Sequence, residues 1–278
     1  MSINEISRPI DNSSVIKKYI LPIIIFYCLS FFSHWFCIII YLNYIPFDPI
    51  QLISAWTPNI SAFFVVWLFY KDEKWTDLFK GWKKWKLDPQ WYIIGLSPLL
   101  VVILVVLSFI LLGGIITELS INIGFLVFMT VIAIFTGATG EELGWRGYLQ
   151  PRLQEKLSPL LSSILVGLAW GFWHIPLWLA GVWVDSDLTT YLIRTVAYAI
   201  IIGWAYNRSN QSVFVASMFH YFINFSTLIV TDTNLVPNED FRILSLVIYC
   251  LYAGFIVLYS ELRRKKIVKG NLLNSKNR

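Results

Sequence analysis

Several ionisable and amide side chains of this sequence stand inside apolar stretches. Glu141 and Glu142 end the apolar run GFLVFMTVIAIFTGATG, and His174, His220 and Asn224 lie within later apolar runs. A carboxylate can accept a proton from water, an imidazole can hold or relay that proton, and an amide can donate a hydrogen bond to a developing oxyanion. These residue types therefore favour hydrolytic chemistry at a buried site.

The spacing of the polar residues separates their roles. Glu142 and Arg146 are four residues apart with the acid first, which favours an ion pair on one face of a helix. Glu141 is rotated by roughly 100° from Glu142 on a helix, so it can face a different partner. His220 and Asn224 are also four residues apart and share a helix face. We therefore predict that Glu142 and Arg146 support the site and that the other four residues act in it: Glu141, His174, His220 and Asn224.

Two further residues are assigned on the same reasoning. Trp170 lies four residues before His174, so its indole is predicted to buttress that imidazole. His34 has no such companion, and we interpret it as a packing residue. The cysteines, Cys28, Cys37 and Cys250, fall in apolar stretches without ligand spacing, so they predict neither a disulfide framework nor a metal site.

The composition is typical of a membrane protein. Charged residues make up 14% of the chain and hydrophobic residues 57%, whereas soluble domains carry about 25% charged residues. We therefore predict an all-α, polytopic membrane protein forming a single domain over 1–278. Windows of about 20 apolar residues predict eight spans, at 19–41, 50–70, 91–113, 123–150, 158–180, 188–206, 211–230 and 243–260.

The basic residues predict the orientation. If the N-terminus is cytoplasmic, 20 of the 22 lysines and arginines fall in cytoplasmic segments, as the positive-inside rule requires. Both termini are therefore predicted to be cytoplasmic. Because the net charge of +5 is spread over these segments and the tail, no nucleic-acid partner is predicted. The stretch KWTDLFKGWKKWKLDPQW is interpreted as an element at the lipid headgroups.

Helix lengths indicate that the polar groups can meet. At 1.5 Å per residue, four of them lie about 15–22 Å from the cytoplasmic end of their spans, near the middle of a core about 30 Å thick. These four are Glu141, His174, His220 and Asn224.

Glu141, His174 and His220 could also supply a zinc site with an open position for water. The sequence contains no HExxH motif, and Asn224 is a poor zinc ligand. Hydrolysis without a metal is the preferred prediction, and zinc stays open as the alternative.

Three short motifs carry a resemblance to a known family. Glu141 to Arg146 matches EExxxR, Trp170 to His174 resembles FxxxH with Trp in place of Phe, and His220 to Asn224 matches HxxxN. In this order and spacing, residues 123–230 resemble the core of the CPBP family. That family includes the type II CAAX prenyl proteases and the Abi-type bacteriocin-processing and immunity proteins.

The resemblance implies an intramembrane endopeptidase that acts on a membrane-associated peptide or a lipid-anchored protein. It implies that Glu141 activates a water with help from His174, and that His220 and Asn224 stabilise the oxyanion. Glu142 and Arg146 would brace the site.

Two other functions are weighed against this one. A non-catalytic immunity or regulatory membrane protein could keep the same polar cluster as a structural core. A transporter with an ion site at mid-membrane would show inverted repeats, and no repeat is visible in the sequence. The Lys-, Asn- and Ile-rich composition suggests a bacterial source. Because most bacteria do not prenylate proteins, a true CAAX substrate is not expected.

Overall fold

A computed structural model describes residues 16–44, 53–117, 122–180 and 187–276 of the 278-residue chain. Every secondary-structure element in these ranges is helical. In chain order they are a π-helical turn (Ile16–Ile20), α1 (Leu21–Tyr44), α2 (Thr57–Phe69), a 3₁₀ helix (Trp75–Lys80), α3 (Pro89–Leu111), α4 (Ile123–Ala133), π-helical turns at Ile134–Ala138 and Leu143–Leu149, α5 (Gln150–Gln154), α6 (Pro159–Trp173), α7 (Ile175–Leu179), α8 (Leu188–Arg208), α9 (Val213–Thr233) and α10 (Asn238–Lys276).

The described residues contain seven helical segments long and apolar enough to cross a membrane. The predicted all-α, multi-pass membrane fold is therefore confirmed. The predicted second span, 50–70, is wrong as a full crossing. Helix α2 has only 13 residues and is about 20 Å long, which is short of a hydrocarbon core about 30 Å thick.

Helix α2 begins inside the molecule, against the segment that carries the two glutamates. Pro58 lies in the first turn of α2. A Cβ atom at Gly144 would lie 2.6 Å from the carbonyl carbon of Pro58, so only glycine allows this approach. Helix α2 therefore runs from the level of the polar site towards one end of the molecule.

The basic segments between the helices meet at that end. Arg152 forms an ion pair with Glu73, and Lys84 Nζ donates a hydrogen bond to the carbonyl of Asn210 over 2.8 Å. These contacts join the segment between α2 and α3 to α5 and to the loop after α8. We call this end of the molecule the basic face.

The start of α1 belongs to the same face, because Lys156 Nζ lies 4.3 Å from the ring centre of Tyr19. One residue predicted to lie in a cytoplasmic segment is not there. Arg146 is fully buried because it pairs with Glu142. The contacts therefore assign Lys84, Arg152 and Lys156 to the basic face and Arg146 to the interior.

Small residues bring the central helices together around the site. A Cβ atom at Gly167 of α6 would lie 2.8 Å from the Cα atom of Val196 in α8, and one at Gly95 of α3 would overlap Met218 of α9. Without a hydrophobic driving force between helices in lipid, this close van der Waals packing stabilises the bundle. It fixes α6, α8 and α9 next to the glutamate-bearing segment.

Candidate active site

The two glutamates lie in an irregular part of the predicted fourth span. Helix α4 ends at Ala133, and π-helical turns at Ile134–Ala138 and Leu143–Leu149 flank Glu141 and Glu142. The prediction treated 123–150 as regular α-helix, which is wrong at these turns. Single π-helical turns interrupt α-helices frequently at functional sites, and here they set the direction of both carboxylates.

The start of α2 and the turn before it supply hydrogen bonds to the backbone of this irregular segment. Asn59 Nδ2 donates to the carbonyl of Thr139 over 2.7 Å, and Asn59 Oδ1 accepts from the Gly144 amide over 2.8 Å. Trp56 Nε1 donates to the carbonyl of Phe135 over 2.7 Å. Because unsatisfied backbone groups are costly in a bilayer, these bonds hold the glutamate segment in place. Sequence reasoning missed this role, although a buried amide in an apolar run was the signal for it.

Glu142 is the centre of a buried ionic network. Arg146 Nη1 donates to both of its oxygens, over 2.7 and 3.0 Å. His220 Nδ1 donates to Oε1 over 2.7 Å. All three side chains are at most 2% exposed. The spacing predicted the first of these contacts; the second joins Glu142 to a residue that was assigned a separate role.

Glu141 has a different environment from its neighbour. Its Oε2 accepts a hydrogen bond from Trp145 Nε1 over 3.2 Å, and its side chain is also buried. His220 is close enough to interact with it electrostatically. No ion pair within 4.0 Å engages Glu141 among the described residues. The site therefore holds one carboxylate locked in an ion network and a second one outside it.

His174 sits at a break between two helices. Helix α6 ends at Trp173 and α7 begins at Ile175, so the predicted span 158–180 is interrupted here. His174 Nδ1 lies 2.8 Å from the carbonyl of Trp170. A carbonyl can only accept, so Nδ1 carries a proton and the lone pair of the neutral ring is on Nε2. This nitrogen can therefore accept a proton or a hydrogen bond from water.

The aromatic contacts around the histidines differ from the predicted ones. The ring centre of Trp170 lies 4.7 Å from His220 and 6.1 Å from His174, with the Arg146 guanidinium 5.3 Å away. Trp170 therefore packs more closely against the ionic network than against His174, which it was predicted to buttress. Trp173 lies closer to His174, with its ring 4.6 Å away.

His34 packs in the surroundings of the site, in keeping with its interpretation as a packing residue. Its ring stacks on Trp173 at 3.8 Å and lies 6.5 Å from His174. The indole of Trp173 donates to the carbonyl of Ser30 in α1 over 3.2 Å. Helix α1 thus supports the aromatic group behind His174.

His220 and Asn224 converge on Gly137, on the opposite wall. A Cβ atom at position 137 would collide with Asn224 Nδ2 and would lie 2.8 Å from His220 Nε2. Both nitrogens therefore reach the same small region beside the first π-helical turn. Asn224 Nδ2 is a donor there, and His220 Nε2 is a second donor only when the ring carries both protons, because the Nδ1 proton is bonded to Glu142.

The described residues contain no group of three His, Cys, Asp or Glu side chains that could hold a metal ion. Glu141, His174 and His220 are among the described residues, so these three do not form such a group. The Nδ1 contacts of His174 and His220 are also those that metal-ligating histidines make, so hydrolysis without a metal stays a prediction.

A protein-family model matches the part of the chain that contains the candidate site. Residues 122–226 match the family model described as "Type II CAAX prenyl endopeptidase Rce1-like". This region contains every site residue predicted from the motifs, from Glu141 to Asn224. The resemblance to this family is thereby confirmed, over less than half of the chain.

Two relatives match parts of the chain. "CAAX prenyl protease 2" of Methanococcus maripaludis is 29% identical over 181 residues, which is 60% of this chain and 64% of that protein. "Lysostaphin resistance protein A" of Staphylococcus haemolyticus is 24% identical over 153 residues, which is 54% of this chain and 39% of that protein. The match therefore spans less than two thirds of either relative. The family model and the first relative carry the names of CAAX-type proteases, and the second carries that of a resistance protein.

Proposed function

We propose that this relative of the type II CAAX prenyl endopeptidases is an intramembrane endopeptidase that uses Glu141 to activate water. The observation that carries the proposal is that two adjacent carboxylates have different contacts. Glu142 is held by Arg146 and His220, whereas Glu141 forms no ion pair with any described residue and accepts a hydrogen bond from Trp145 Nε1. A general base must be able to take a proton, and Glu141 is the acid that can.

The hydrolytic step balances with the residues of this chain. Glu141 takes one proton from a water as the water oxygen bonds to the substrate carbonyl carbon. The Nε2 lone pair of His174 accepts a hydrogen bond from the same water and orients it. The carbon–nitrogen bond then breaks, and the proton held by Glu141 passes to the leaving amine. A new carboxyl and a new amine result.

The oxyanion of the tetrahedral intermediate would lie beside Gly137. Asn224 Nδ2 is one donor there, and His220 Nε2 is the other when its ring carries both protons. Glu142 then balances the charge of that ring and fixes its direction through Nδ1. Donors that are oriented before reaction are typically the largest electrostatic contribution to acyl transfer.

The substrate class follows from where the site lies. It is buried among membrane-spanning helices, so we infer a membrane-associated peptide or lipid-anchored protein cut near its C-terminus. The positive-inside rule supports a cytoplasmic basic face with both termini on that side. The name of the first relative, "CAAX prenyl protease 2", makes a prenylated protein one candidate substrate within this class.

The test is cleavage of anchored peptides by purified protein in a lipid bilayer. A set of peptides with prenyl, acyl and no anchor is incubated with wild type and with His174→Ala, and the products are read by mass spectrometry. Wild type is expected to release new fragments from the anchored peptides, and His174→Ala to release none. Equal product from both proteins would overturn the proposal.

Gly137→Ala is expected to lower cleavage at least tenfold, because the added methyl group would displace His220 Nε2 and Asn224 Nδ2 from the oxyanion. The matched control is Gly254→Ala, where a Cβ atom meets nothing within 4 Å. The rates of both variants are compared with wild type in the same bilayer assay. If Gly137→Ala is as active as the control, the oxyanion is not bound beside Gly137.

Removing metal ions distinguishes hydrolysis without a metal from a zinc-dependent mechanism. We expect cleavage to survive prolonged treatment with a strong chelator followed by buffer exchange, because Glu141, His174 and His220 do not converge as ligands. Loss of cleavage on stripping, with recovery on adding zinc, would favour the zinc mechanism instead.

The alternative is a non-catalytic immunity or regulatory protein of the same fold. The name of the staphylococcal relative, a lysostaphin resistance protein, favours testing it. Cells producing wild type or Glu141→Gln are challenged with lysostaphin and with bacteriocins. Protection that needs Glu141 supports the peptidase, and protection that survives Glu141→Gln supports the alternative.

A further inference from the structure

A cavity of about 280 Å³ opens at the basic face, outside the site described above. It lies between the segment after α2, the glutamate-bearing segment and the loop between α8 and α9. Six charged side chains line it: Glu73, Lys74, Asp77, Lys80, Lys84 and Arg152.

The charges around the cavity do not cancel. Lys80 pairs with Asp77 over 3.0 Å, and Arg152 pairs with Glu73. No carboxylate within the described ranges forms an ion pair with Lys74 or Lys84. The lining side chains therefore carry two positive charges in excess, and Glu155, outside the lining, offsets part of this excess by pairing with Arg152 over 3.1 Å. The positive charge that is left favours an anionic occupant.

Contacts distant in sequence hold the walls of the cavity in shape. Ser212 Oγ donates to the carbonyl of Lys84 over 2.7 Å, and the Val213 amide donates to the carbonyl of Gly81 over 3.1 Å. Asn210 and Gln211 both have positive φ, at 59° and 58°, a conformation that non-glycine residues adopt only when their surroundings impose it. The cavity is therefore built into the fold rather than formed by chance between surface side chains.

The surroundings place the cavity at the level of lipid headgroups. It opens where α2 ends and before α3 begins, and exposed tryptophans flank this stretch: Trp67, Trp75 and Trp85 are 67%, 46% and 52% exposed. Tryptophan is typical of the membrane–water interface. Basic pockets between membrane helices at this level are suited to anionic headgroups.

We propose that this cavity binds the phosphate of an anionic phospholipid headgroup, with Lys74 and Lys84 as its cationic contacts. Its volume is below that of pockets for whole drug-sized ligands, so it takes the headgroup while the acyl chains stay in the bilayer. Gly147 and Arg152 of the glutamate-bearing segment line the same cavity. The bound lipid would therefore anchor the segment that carries the active site.

The experiment measures lipid binding directly and does not depend on peptidase activity. Full-length protein is purified in a neutral detergent and titrated with phosphatidylglycerol or phosphatidylcholine, and bound lipid is counted by native mass spectrometry. The test variant is Lys74→Gln/Lys84→Gln. The control is Lys83→Gln/Lys86→Gln, which removes the same charge from the same segment outside the cavity.

Wild type is expected to retain phosphatidylglycerol over phosphatidylcholine, and the test variant to bind it more than tenfold more weakly, from roughly fivefold for each lysine. The control variant is expected to stay within about twofold of wild type on the same reasoning, because its lysines lie outside the cavity. If both variants lose phosphatidylglycerol binding to the same extent, general charge attraction explains the binding and the proposed site is wrong.

A second arm separates the lipid from a soluble anion. Glycerol phosphate at millimolar concentration is expected not to displace the bound phosphatidylglycerol, since it lacks the acyl chains that the detergent micelle and the apolar helix surfaces hold. Full displacement, or binding of glycerol phosphate alone with the same dependence on Lys74 and Lys84, would contradict a lipid as the occupant.

Discussion

Glu141→Gln is expected to lower kcat/KM by roughly 10²–10⁴-fold, the usual contribution of a general base, while the protein folds as wild type does. The amide has the same shape, and its oxygen can still accept the hydrogen bond from Trp145 Nε1. It cannot take a proton from water. The measurement is the cleavage rate of an anchored peptide in bilayers.

The control for this variant is Glu155→Gln. Glu155 pairs with Arg152 over 3.1 Å at the surface, so the same chemical change is made outside the buried cluster. It is expected to leave the rate within about twofold of wild type, as exposed ion pairs contribute little. If Glu141→Gln keeps more than a tenth of wild-type activity, another residue is the general base.

Glu142→Leu is expected to destabilise the fold, by about 3–5 kcal/mol, because it leaves the buried Arg146 without a counter-charge. The apparent Tm in detergent should fall on the order of 10 °C. His220 also loses the acceptor of its Nδ1 proton, so cleavage should be lost together with stability. Circular dichroism or intrinsic fluorescence during heating measures this.

Two comparisons make the result specific. Glu261→Leu breaks an exposed ion pair with Arg264 and is expected to cost less than about 1 kcal/mol. The double variant Glu142→Leu/Arg146→Leu should recover part of the lost stability, because no unpaired charge stays buried. A Glu142→Leu protein that unfolds at the wild-type temperature would contradict the network as a structural centre.

The sequence was sufficient for the fold class and for the membership of the polar cluster. Apolar windows report directly on whether a segment can cross a bilayer, and buried ionisable residues are rare enough to stand out. The pairing of Glu142 with Arg146 was also predictable, because neighbours at i and i+4 share a helix face. These are all local properties of the chain.

What the sequence could not reveal depends on contacts between distant segments. The bond from His220 to Glu142 joins residues 78 apart, and the bond from Asn59 to Thr139 joins residues 80 apart. Asn59 and Trp56 satisfy backbone groups in and beside the π-helical turns around the glutamates, and a regular helical period could not predict these distant contacts. The stacking of His34 on Trp173 depends on helix packing in the same way.

The short helix α2 was misjudged for a related reason. Residues 50–70 have the apolar character of a span, but hydropathy does not distinguish a crossing helix from one that ends against other protein segments. Asn59 and Pro58 mark the point where α2 meets the glutamate segment. In this chain a shortened apolar helix is part of the site.

The central claim is that this membrane cluster hydrolyses a peptide bond through Glu141. The most direct test is comparative peptidomics of membranes from cells producing wild type or Glu141→Gln at equal levels. The account predicts peptides with new termini that appear with wild type and are absent with Glu141→Gln, whose membranes accumulate the uncut precursor. Identical peptide populations in the two membranes would contradict it.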